Sequence, residues 1–326
     1  TAQEHIASAL KELSRPLPLE ELDDKSLEDA IYAKVMSKKF RKLKADDEAI
    51  AITKKAIGLA IEESKPVTVS ILFGGNKLWR FEEAPEIDWA ELFSTFYFIH
   101  WMKSIASVYN NGARLDFYSE DISIESLNNI PKAETDRYSK TFQSMLEWLK
   151  PHIPNNIQIT YRRQADEYTD PAEYLEEIEE AKKIILAENN GKLPQMDEQQ
   201  KIATELNVKL QQGQADDAQW REKVELEHQA IFRTKTLLKY LEDPYLIPAC
   251  PTLYPALIAT GSTKNSLAKF WAAVGVLKPV GDSFAELVLT PKQLEAANFV
   301  WEDTHFDGLE GKNFKNNFKP YTLTIF

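Results

Sequence analysis

A glycine pair followed by two basic side chains is the first group of residues in this sequence suited to binding a charged small molecule. Gly74 and Gly75 precede Lys77 and Arg80, and we call residues 74 to 80 the glycine loop. Two glycines let the backbone approach a ligand closely, and the two cations supply charge for a phosphate or a carboxylate. The spacing is neither that of a Walker loop nor that of a dinucleotide fingerprint. The alternative interpretation is a glycine turn with exposed basic residues.

An acidic turn and an arginine pair occupy comparable positions further along the chain. The acidic turn is residues 119 to 121, and the arginine pair is residues 162 and 163; each follows a strand-like segment. If these segments and the one before the glycine loop are parallel neighbours, their carboxyl ends meet. Lys77 and Arg80 then converge with Asp121 and Arg162. This arrangement would combine cations for an anionic group with an acid for proton transfer or ammonium binding. Alternatively, Asp121 caps a turn and the arginines lie on the surface.

A polar segment near the C-terminus adds another candidate. Residues 261 to 266 read Gly-Ser-Thr-Lys-Asn-Ser between apolar segments, so that Lys264 and backbone amides are suited to contact an anion. A plain hairpin loop is an equally good interpretation. With one cysteine and five scattered histidines, the chain has no Cys/His cluster for zinc. We therefore predict a site without a metal ion.

Hydrophobic periodicity predicts the elements that position these residues. A nearly continuous apolar and β-branched run at residues 66–73 predicts a strand buried on both faces, and alternating patterns predict strands at 113–118 and 156–161. Between them, helical patterns run from about 88 to 109 and from 135 to 149. Because helical crossovers of this length connect parallel strands, the β-α-β-α-β order predicts a doubly wound sheet.

The remaining segments predict an α/β fold with a Rossmann-like, mostly parallel sheet. We expect a helical N-terminal cover, a Rossmann-like core, an acidic helical insertion, and C-terminal strands that complete the sheet or form a small lobe, at residues 1–64, 65–163, 164–243 and 244–326. Gly281-Asp282 predicts a turn between two antiparallel strands. The predicted C-terminal strands are residues 254–260, 268–277, 284–289 and 321–326.

Three further features have structural interpretations. Asp88 and Glu91 have the spacing of a capping box at the start of a helix. The basic run at residues 38–44 is typical of a solvated junction between helices. His100, among aromatic residues in the middle of a predicted helix, is interpreted as a core histidine.

Composition excludes several classes of protein. The chain has 326 residues, of which 43% are hydrophobic, so a fibrous or mostly disordered protein is excluded. A net charge of −12 argues against a nucleic-acid-binding surface. The longest uncharged stretch, residues 246–263, contains three prolines and predicts no membrane span. Because Cys250 has no partner for a disulfide, we expect a cytoplasmic, unanchored protein.

The order of several segments resembles the isocyanide synthase family, which includes pyoverdine-chromophore and dityrosine-biosynthesis proteins. The resemblance covers roughly residues 29–149, and its best step is Tyr-x-x-Gly-Ala-x-Leu at residues 109–115. The other matching pieces are the strand entered from Lys65-Pro66, the lysine of the glycine loop, the Asp88/Glu91 pair, the acidic turn at Asp121, Tyr138 and a weaker echo at residues 262–264.

The resemblance implies a cofactor-independent enzyme that joins the amino nitrogen of an amino acid to a carbon from a pentulose phosphate. It implies Lys77 and Asp121 as catalytic residues, matching the family's loop lysine and post-strand aspartate. Substrate would be bound by Gly74, Gly75, Arg80, Arg162 and Lys264. Its partners would be small molecules, an amino acid and a sugar phosphate, with no nucleic acid and no membrane, and a homo-oligomer is left open. The alternatives are a catalytically silent small-molecule binding protein and a different small-molecule transferase on the same fold.

Overall fold

Four parallel strands form the central sheet of the protein. They are β1 (Val67–Phe73), β2 (Ala113–Ser119), β3 (Ile157–Arg163) and β4 (Leu246–Ala249), and their order across the sheet is β3-β2-β1-β4. The computed structural model describes residues 1–22, 24–40, 46–74, 86–198, 204, 208, 218–249, 270, 273–289, 293 and 296. The predicted α/β class with a parallel sheet is confirmed.

Nine helices surround this sheet in the described part of the chain. Three precede β1: α1 (Ala2–Leu13), α2 (Leu27–Val35) and α3 (Asp47–Glu62). The crossovers contain α4 (Trp89–Ala106) between β1 and β2, and α5 (Asp121–Asn128) and α6 (Lys132–Leu149) between β2 and β3. Between β3 and β4 lie α7 (Pro171–Glu188), α8 (Ala218–Ile231) and α9 (Lys235–Leu241). None of these described helices is long and apolar enough to cross a membrane.

The three predicted strands of the core are neighbours and end level with one another. Ser70 pairs with Asp116, and Asp116 with Thr160, while Phe73 at the end of β1 pairs with Ser119 and through it with Arg163. Gly112, with a φ of +74°, makes the left-handed turn that leads into β2. A Cβ there would lie 1.7 Å from the carbonyl oxygen of Asn156, so glycine is required. The carboxyl ends of these strands therefore lie at one end of the sheet, which we call the carboxyl end.

One face of the sheet is covered by α4 and α6 and is filled with aromatic rings. This aromatic face is defined by Phe73, Phe117 and Tyr161. Phe142 of α6 packs 5.3 Å from Phe73 and 5.2 Å from Phe117 between ring centroids. The predicted buried helix corresponds to α4, in which every residue except His100 and Ser104 is buried.

The opposite face carries polar side chains in its centre. This polar face is defined by Ser70, Asp116 and Thr160, which are aligned across β1, β2 and β3. The helices α7, α8 and α9 cover it through a second hydrophobic cluster, in which Leu72 and Tyr118 of the sheet join residues such as Tyr174, Ile178, Leu237 and Tyr240. The protein thus has helices on both faces of the sheet, as a doubly wound fold requires.

A separate antiparallel pair, β5 (Val274–Val280) and β6 (Ser283–Leu289), follows in the chain. The predicted turn at Gly281-Asp282 connects the two strands, and Gly281 has a φ of +60°. The pair docks on the start of α4, where the Gly275 N–H donates to Asp88 Oδ1 at 3.1 Å. The predicted antiparallel C-terminal strands are confirmed here, while those predicted at 254–260 and 321–326 lie outside the described residues.

Two elements were not predicted. The helix α5 begins at Asp121, where a loop was expected, and β4 at Leu246–Ala249 lies before the first predicted C-terminal strand. β4 has four residues and contains Pro248, which lacks the N–H of a ladder partner. Among the described strands, β4 is the outer one next to β1, a position that tolerates a proline.

Candidate functional site

The carboxyl end of the sheet is the candidate site. Ligands of doubly wound sheets bind beyond this end, at the position where successive connections leave to opposite sides. Here that position lies between β1 and β4. Gly74, predicted to bind substrate, is buried directly after β1. Four other predicted residues lie outside the described part of the chain and remain predictions: Gly75, Lys77, Arg80 and Lys264.

Asp121 is bound by three donors in the described structure. Its Oδ1 accepts hydrogen bonds from the N–H groups of Ile122 and Ala165, both at 2.9 Å, and its Oδ2 accepts from Arg163 Nε at 2.5 Å. Burial raises the pKa of the Asp121 carboxyl, and the charge of Arg163 and the hydrogen bonds offset part of that rise. Any proton transfer at Asp121 would have to break this ion pair.

Arg163 therefore takes the place beside Asp121 that the sequence assigned to Arg162. Its terminal nitrogen also donates to Asp136 Oδ1 of α6 at 2.7 Å, so that it connects two helices to the end of β3. Arg162 is on the polar face instead. There it donates to Asp116 Oδ2 at 2.7 Å, and its guanidinium carbon lies 4.5 Å from the ring centroid of Tyr240. Because neighbouring residues of a strand point to opposite faces, the two arginines have different partners.

Asp116 is the centre of a buried hydrogen-bond network on the polar face. Thr160 Oγ1 donates to its Oδ1 at 2.5 Å, and the Tyr240 hydroxyl donates to its Oδ2 at 2.7 Å. Ser70 closes the network with a hydrogen bond to the Tyr240 hydroxyl. The network satisfies the carboxylate and fixes Arg162, whose side chain is still 44% exposed at the carboxyl end.

Glu120 is a functional candidate that the sequence argument did not select. It follows β2 directly, and its N–H donates to the carbonyl oxygen of Phe73 at 2.9 Å. Its side chain is buried, and burial raises the pKa of its carboxyl to about 7. Within the described residues, Glu120 Oε1 has no hydrogen-bond partner. A buried acid whose pKa lies near neutrality, with no described partner for one of its oxygens, makes this position a candidate for proton exchange or for binding a polar ligand.

Gln164 supplies a second unpartnered polar group at the same end of the sheet. It follows β3 and is fully buried, and its Oε1 accepts a hydrogen bond from Ser123 Oγ at 2.7 Å. Its Nε2 has no hydrogen-bond partner in the described part of the chain. An unused amide donor after β3 and an unused carboxyl oxygen after β2 are the groups that a polar ligand would satisfy.

The alternation of side chains between the two faces along β2 is the sequence signal that identifies Glu120. Even-numbered residues of β2 point to the polar face, so Glu120 continues the direction of Asp116 and Tyr118, whereas Asp121 starts the helix. The charge of Glu120 contributes to the raised pKa values of Tyr118 and Tyr174, after the larger effect of burial. Glu120 therefore lies in the packed layer between β2 and α7.

The predicted capping box is present at the start of α4. The Asp88 N–H donates to Glu91 Oε2 at 2.7 Å, and the Ala90 N–H donates to Asp88 Oδ1 at 2.6 Å. The Tyr138 hydroxyl of α6 donates to Glu91 Oε1 at 2.9 Å, and burial raises the pKa of Tyr138. These residues, three of which carry the family resemblance, position the helix that follows the glycine loop.

No metal site is apparent in the described residues, because they contain no group of three or more His, Cys, Asp or Glu side chains that could hold an ion. The polar atoms at the carboxyl end are instead suited to hydrogen bonding and proton transfer. Part of the chain lies outside the described residues. The expected absence of a cofactor therefore stays a prediction.

Comparison with known proteins shows a relationship of fold. The structure is similar to the PvcA protein from Pseudomonas aeruginosa, with a TM-score of 0.60 and 16% sequence identity, over 90% of this chain and 100% of that one. No protein-family model matches the sequence, and no curated protein matches it. The similarity therefore indicates a remote structural relationship to PvcA.

Proposed function

We propose that this protein is a small-molecule biosynthetic enzyme of the isonitrile synthase type, which joins the amino nitrogen of an amino acid to a carbon of a pentulose phosphate. The proposal is supported by a fold similar to that of PvcA, a pyoverdine-chromophore protein of the family that the sequence resembles. The observation that favours an enzyme is Glu120, a buried carboxyl with a pKa of about 7 at the end of the sheet where such folds bind ligands.

The proposed reaction begins with steps that need a proton carrier. The amino nitrogen adds to the ketone carbon, so the nitrogen loses a proton and the oxygen gains one. The oxygen then takes a second proton and leaves as water, while the nitrogen loses its remaining proton and an imine forms. A carboxyl whose pKa is near neutral pH is populated in both forms and suits both transfers. Glu120 has this property, whereas Asp121 is held by Arg163.

The other proposed roles concern substrate binding. Lys77 is proposed to hold the sugar phosphate or activate its carbonyl, with Gly74, Gly75, Arg80 and Lys264 contributing to binding. Arg162 is proposed to contact an anionic group with the exposed part of its guanidinium, since Asp116 and Tyr240 orient it at the carboxyl end. Asp121 is proposed to act with Arg163 in positioning α5.

The test is an assay of the full chain with tyrosine or tryptophan and ribulose 5-phosphate, in which the isonitrile is detected by its infrared stretch. We expect product from the unchanged protein. Glu120→Gln should lower kcat by about 10²- to 10⁴-fold, the usual contribution of general acid–base catalysis. Glu125→Gln is the matched control, a half-buried carboxyl of the same helix that is bonded to Thr135, and it should retain activity.

Two further variants separate the proposed roles. Lys77→Ala should abolish turnover with little change in the temperature of unfolding, whereas Asp121→Asn should lower that temperature because it weakens the bond to Arg163. If the protein forms no isonitrile but is stabilised by either substrate, it is the binding protein of the alternative interpretation. If the protein neither forms product nor is stabilised by either substrate, both proposed functions are contradicted.

A further inference from the structure

A cavity of about 440 Å³ lies between α1, the turn after α2 and the middle of α4. It is lined by Glu12, Arg15, Pro16, Leu17, Ser37, Lys39, Phe40, His100, Lys103 and Ser104. Its volume is in the range of small-molecule sites. His100 and Ser104 are the two residues of α4 that are not buried, so the helix is open to solvent only along this cavity.

The cavity is distant from the candidate site at the carboxyl end of the sheet. The helix α4 begins after β1 at that end and returns toward the start of β2. With a rise of 1.5 Å per residue, His100 lies ~16 Å along the helix from Trp89. A ligand in this cavity is therefore a second ligand and not the substrate of the proposed reaction.

Positive charge is concentrated in the walls. Three cations, Arg15, Lys39 and Lys103, and one histidine face a single carboxylate, Glu12, although the whole chain has a net charge of −12. Arg15 and Lys39 are exposed, and neither forms an ion pair with another described residue. Lys39 belongs to the basic run that the sequence analysis interpreted as a solvated junction. This geometry favours an anion.

Lys103 is held in place with unused hydrogen-bonding capacity. The residue is 4% exposed, and its Nζ donates one hydrogen bond, to the carbonyl oxygen of Glu12 at 2.8 Å. An ammonium group has three hydrogens, so two remain for a ligand. Burial lowers the pKa of Lys103, because the charged form lacks a nearby anion strong enough to compensate.

His100 is not the core histidine that the sequence predicted. It is half-buried in the cavity wall and makes no hydrogen bond with a described residue. Burial lowers its pKa, and the charge of Lys103 lowers it further. A neutral imidazole still offers one N–H donor to an anion.

Pro16, Leu17 and Phe40 form the apolar part of the wall. The ring of Phe40 is stacked on Trp101 with centroids 6.0 Å apart and contacts Tyr97 edge-on at 5.5 Å, so its position is fixed. Leu17 is 46% exposed at the opening, next to Pro16. Phe40 itself is only 3% exposed, so the accessible apolar surface beside the cationic side chains is mainly that of Pro16 and Leu17.

We propose that this cavity is a binding site for a small organic anion, whose phosphate or carboxylate group lies among the cations while an apolar or aromatic body packs against Pro16 and Leu17. The guanidinium of Arg15 supplies paired donors, and the ammonium groups of Lys39 and Lys103 supply charge from the other walls. Glu12 supplies the one carboxylate among the described lining residues, and Lys39 also contacts the ring of Phe40, with its Nζ 5.3 Å from the ring centroid.

Calorimetric titration of the full chain tests the proposal. The probes are phenyl phosphate, benzoate, inorganic phosphate and the neutral benzyl alcohol. We expect phenyl phosphate or benzoate to bind the protein more tightly than inorganic phosphate or benzyl alcohol, since each of the latter lacks one half of the ligand. Binding should weaken as salt is added.

Matched variants locate the bound probe. Arg15→Gln with Lys39→Gln should weaken binding at least tenfold, and because both residues are exposed the temperature of unfolding should stay unchanged. Lys38→Gln is the control, since Lys38 is exposed and adjacent in sequence but does not line the cavity. His100→Gln changes a second part of the cavity wall, on α4, and should also weaken binding of the probe.

The proposal is overturned by any of three results. These are no binding of either aromatic anion at millimolar concentration, binding that the double variant leaves unchanged, and an equal loss in Lys38→Gln, which would indicate a general electrostatic attraction. None of these results depends on whether the protein makes an isonitrile.

Discussion

The two faces of the parallel sheet are both covered by helices, but one is packed mainly with aromatic rings and the other carries a buried polar network. On the aromatic face, Phe73 and Phe117 pack against α4 and α6 through ring contacts, and the hydroxyls of Tyr138 and Tyr161 there are bonded to Glu91 and Ser139. On the polar face, Asp116 is buried under α9 and is acceptable there only because Thr160, Tyr240 and Arg162 donate to it. Consecutive residues of β2 thus belong to two different environments.

This difference explains why Glu120 stands out. Buried carboxylates in proteins are paired or hydrogen-bonded, and Asp116 and Asp121 both follow that rule. Glu120 lies on the same side as Asp116, at the carboxyl end, without a described partner for its Oε1. The polar face thus combines a satisfied hydrogen-bond network in its middle with a buried carboxyl oxygen at its end that has no described partner.

The largest expected effect is on the aromatic face. Phe117→Ala should lower the free energy of unfolding by about 3–5 kcal/mol, because it removes a fully buried ring from contact with Phe98 and Phe142. Urea titration measures this change. Leu175→Ala on α7 is the control for an exposed apolar side chain, 52% accessible, and should change stability by less than about 0.5 kcal/mol. Equal effects of the two variants would contradict the packing described here.

A pH-dependent effect is expected from Glu120. Its folded pKa of about 7 lies above the ordinary value of 4.5, so the folded state binds the proton more tightly than the unfolded state. The associated stability is present below pH 4.5 and is lost as the pH rises through 7, by about 3 kcal/mol in total. Glu120→Gln should remove this loss, so its unfolding temperature should exceed that of the unchanged protein at pH 8 and match it at pH 4. Parallel pH profiles would contradict the burial of an unpaired carboxyl.

A smaller effect is expected at Asp116. Asp116→Asn keeps the shape of the side chain but removes the charge that strengthens its hydrogen bonds, at a cost of about 1.5–3 kcal/mol. The ion pair between Asp116 and Arg162 should account for only a small part of this cost, because the Arg162 side chain is 44% exposed. Asp136→Asn, an ion-pair partner that is 42% exposed, is the control and should cost less than about 1 kcal/mol. Similar losses of unfolding temperature in both would show that burial of the network is unimportant.

The smallest effect is expected for a single donor of the network. Thr160→Val removes one hydrogen bond to Asp116 while keeping the branched shape, and should lower the free energy of unfolding by about 1 kcal/mol. In the Asp116→Asn background the loss should shrink, because the two residues interact directly. Strictly additive losses in a double-mutant cycle would place the effect of Thr160 outside the network.

The core of the fold could be predicted from sequence because its signals are local. The apolar run before Gly74, the alternation after Gly112 and the apolar surface of α4 each determine an element without reference to distant residues. Helical connections of sufficient length then favour parallel strands. The short β4 gives no such signal, since it has four residues including Pro248 and is defined by its pairing with β1.

The candidate site was harder to predict because it depends on pairing between elements. The sequence placed candidate residues after the strands, and in the structure Asp121 begins a helix and is bound by Arg163, not by Arg162. His100 has an aromatic sequence context, yet it faces the cavity beside Lys103 because the N-terminal helices do not cover that part of α4. Neither outcome can be derived from the residues adjacent in sequence.

The sequence by itself determined the three core strands, the long helices α4 and α6, and that these strands end together, since periodicity and crossover length are properties of a continuous chain, whereas β4 and α5 were not predicted from it. Tertiary structure alone decided which charged groups are neutralised. A carboxylate is a structural ion-pair partner or an available acid according to the side chains packed around it, and for Asp116, Glu120 and Asp121 those side chains come from β3, α7 and α9.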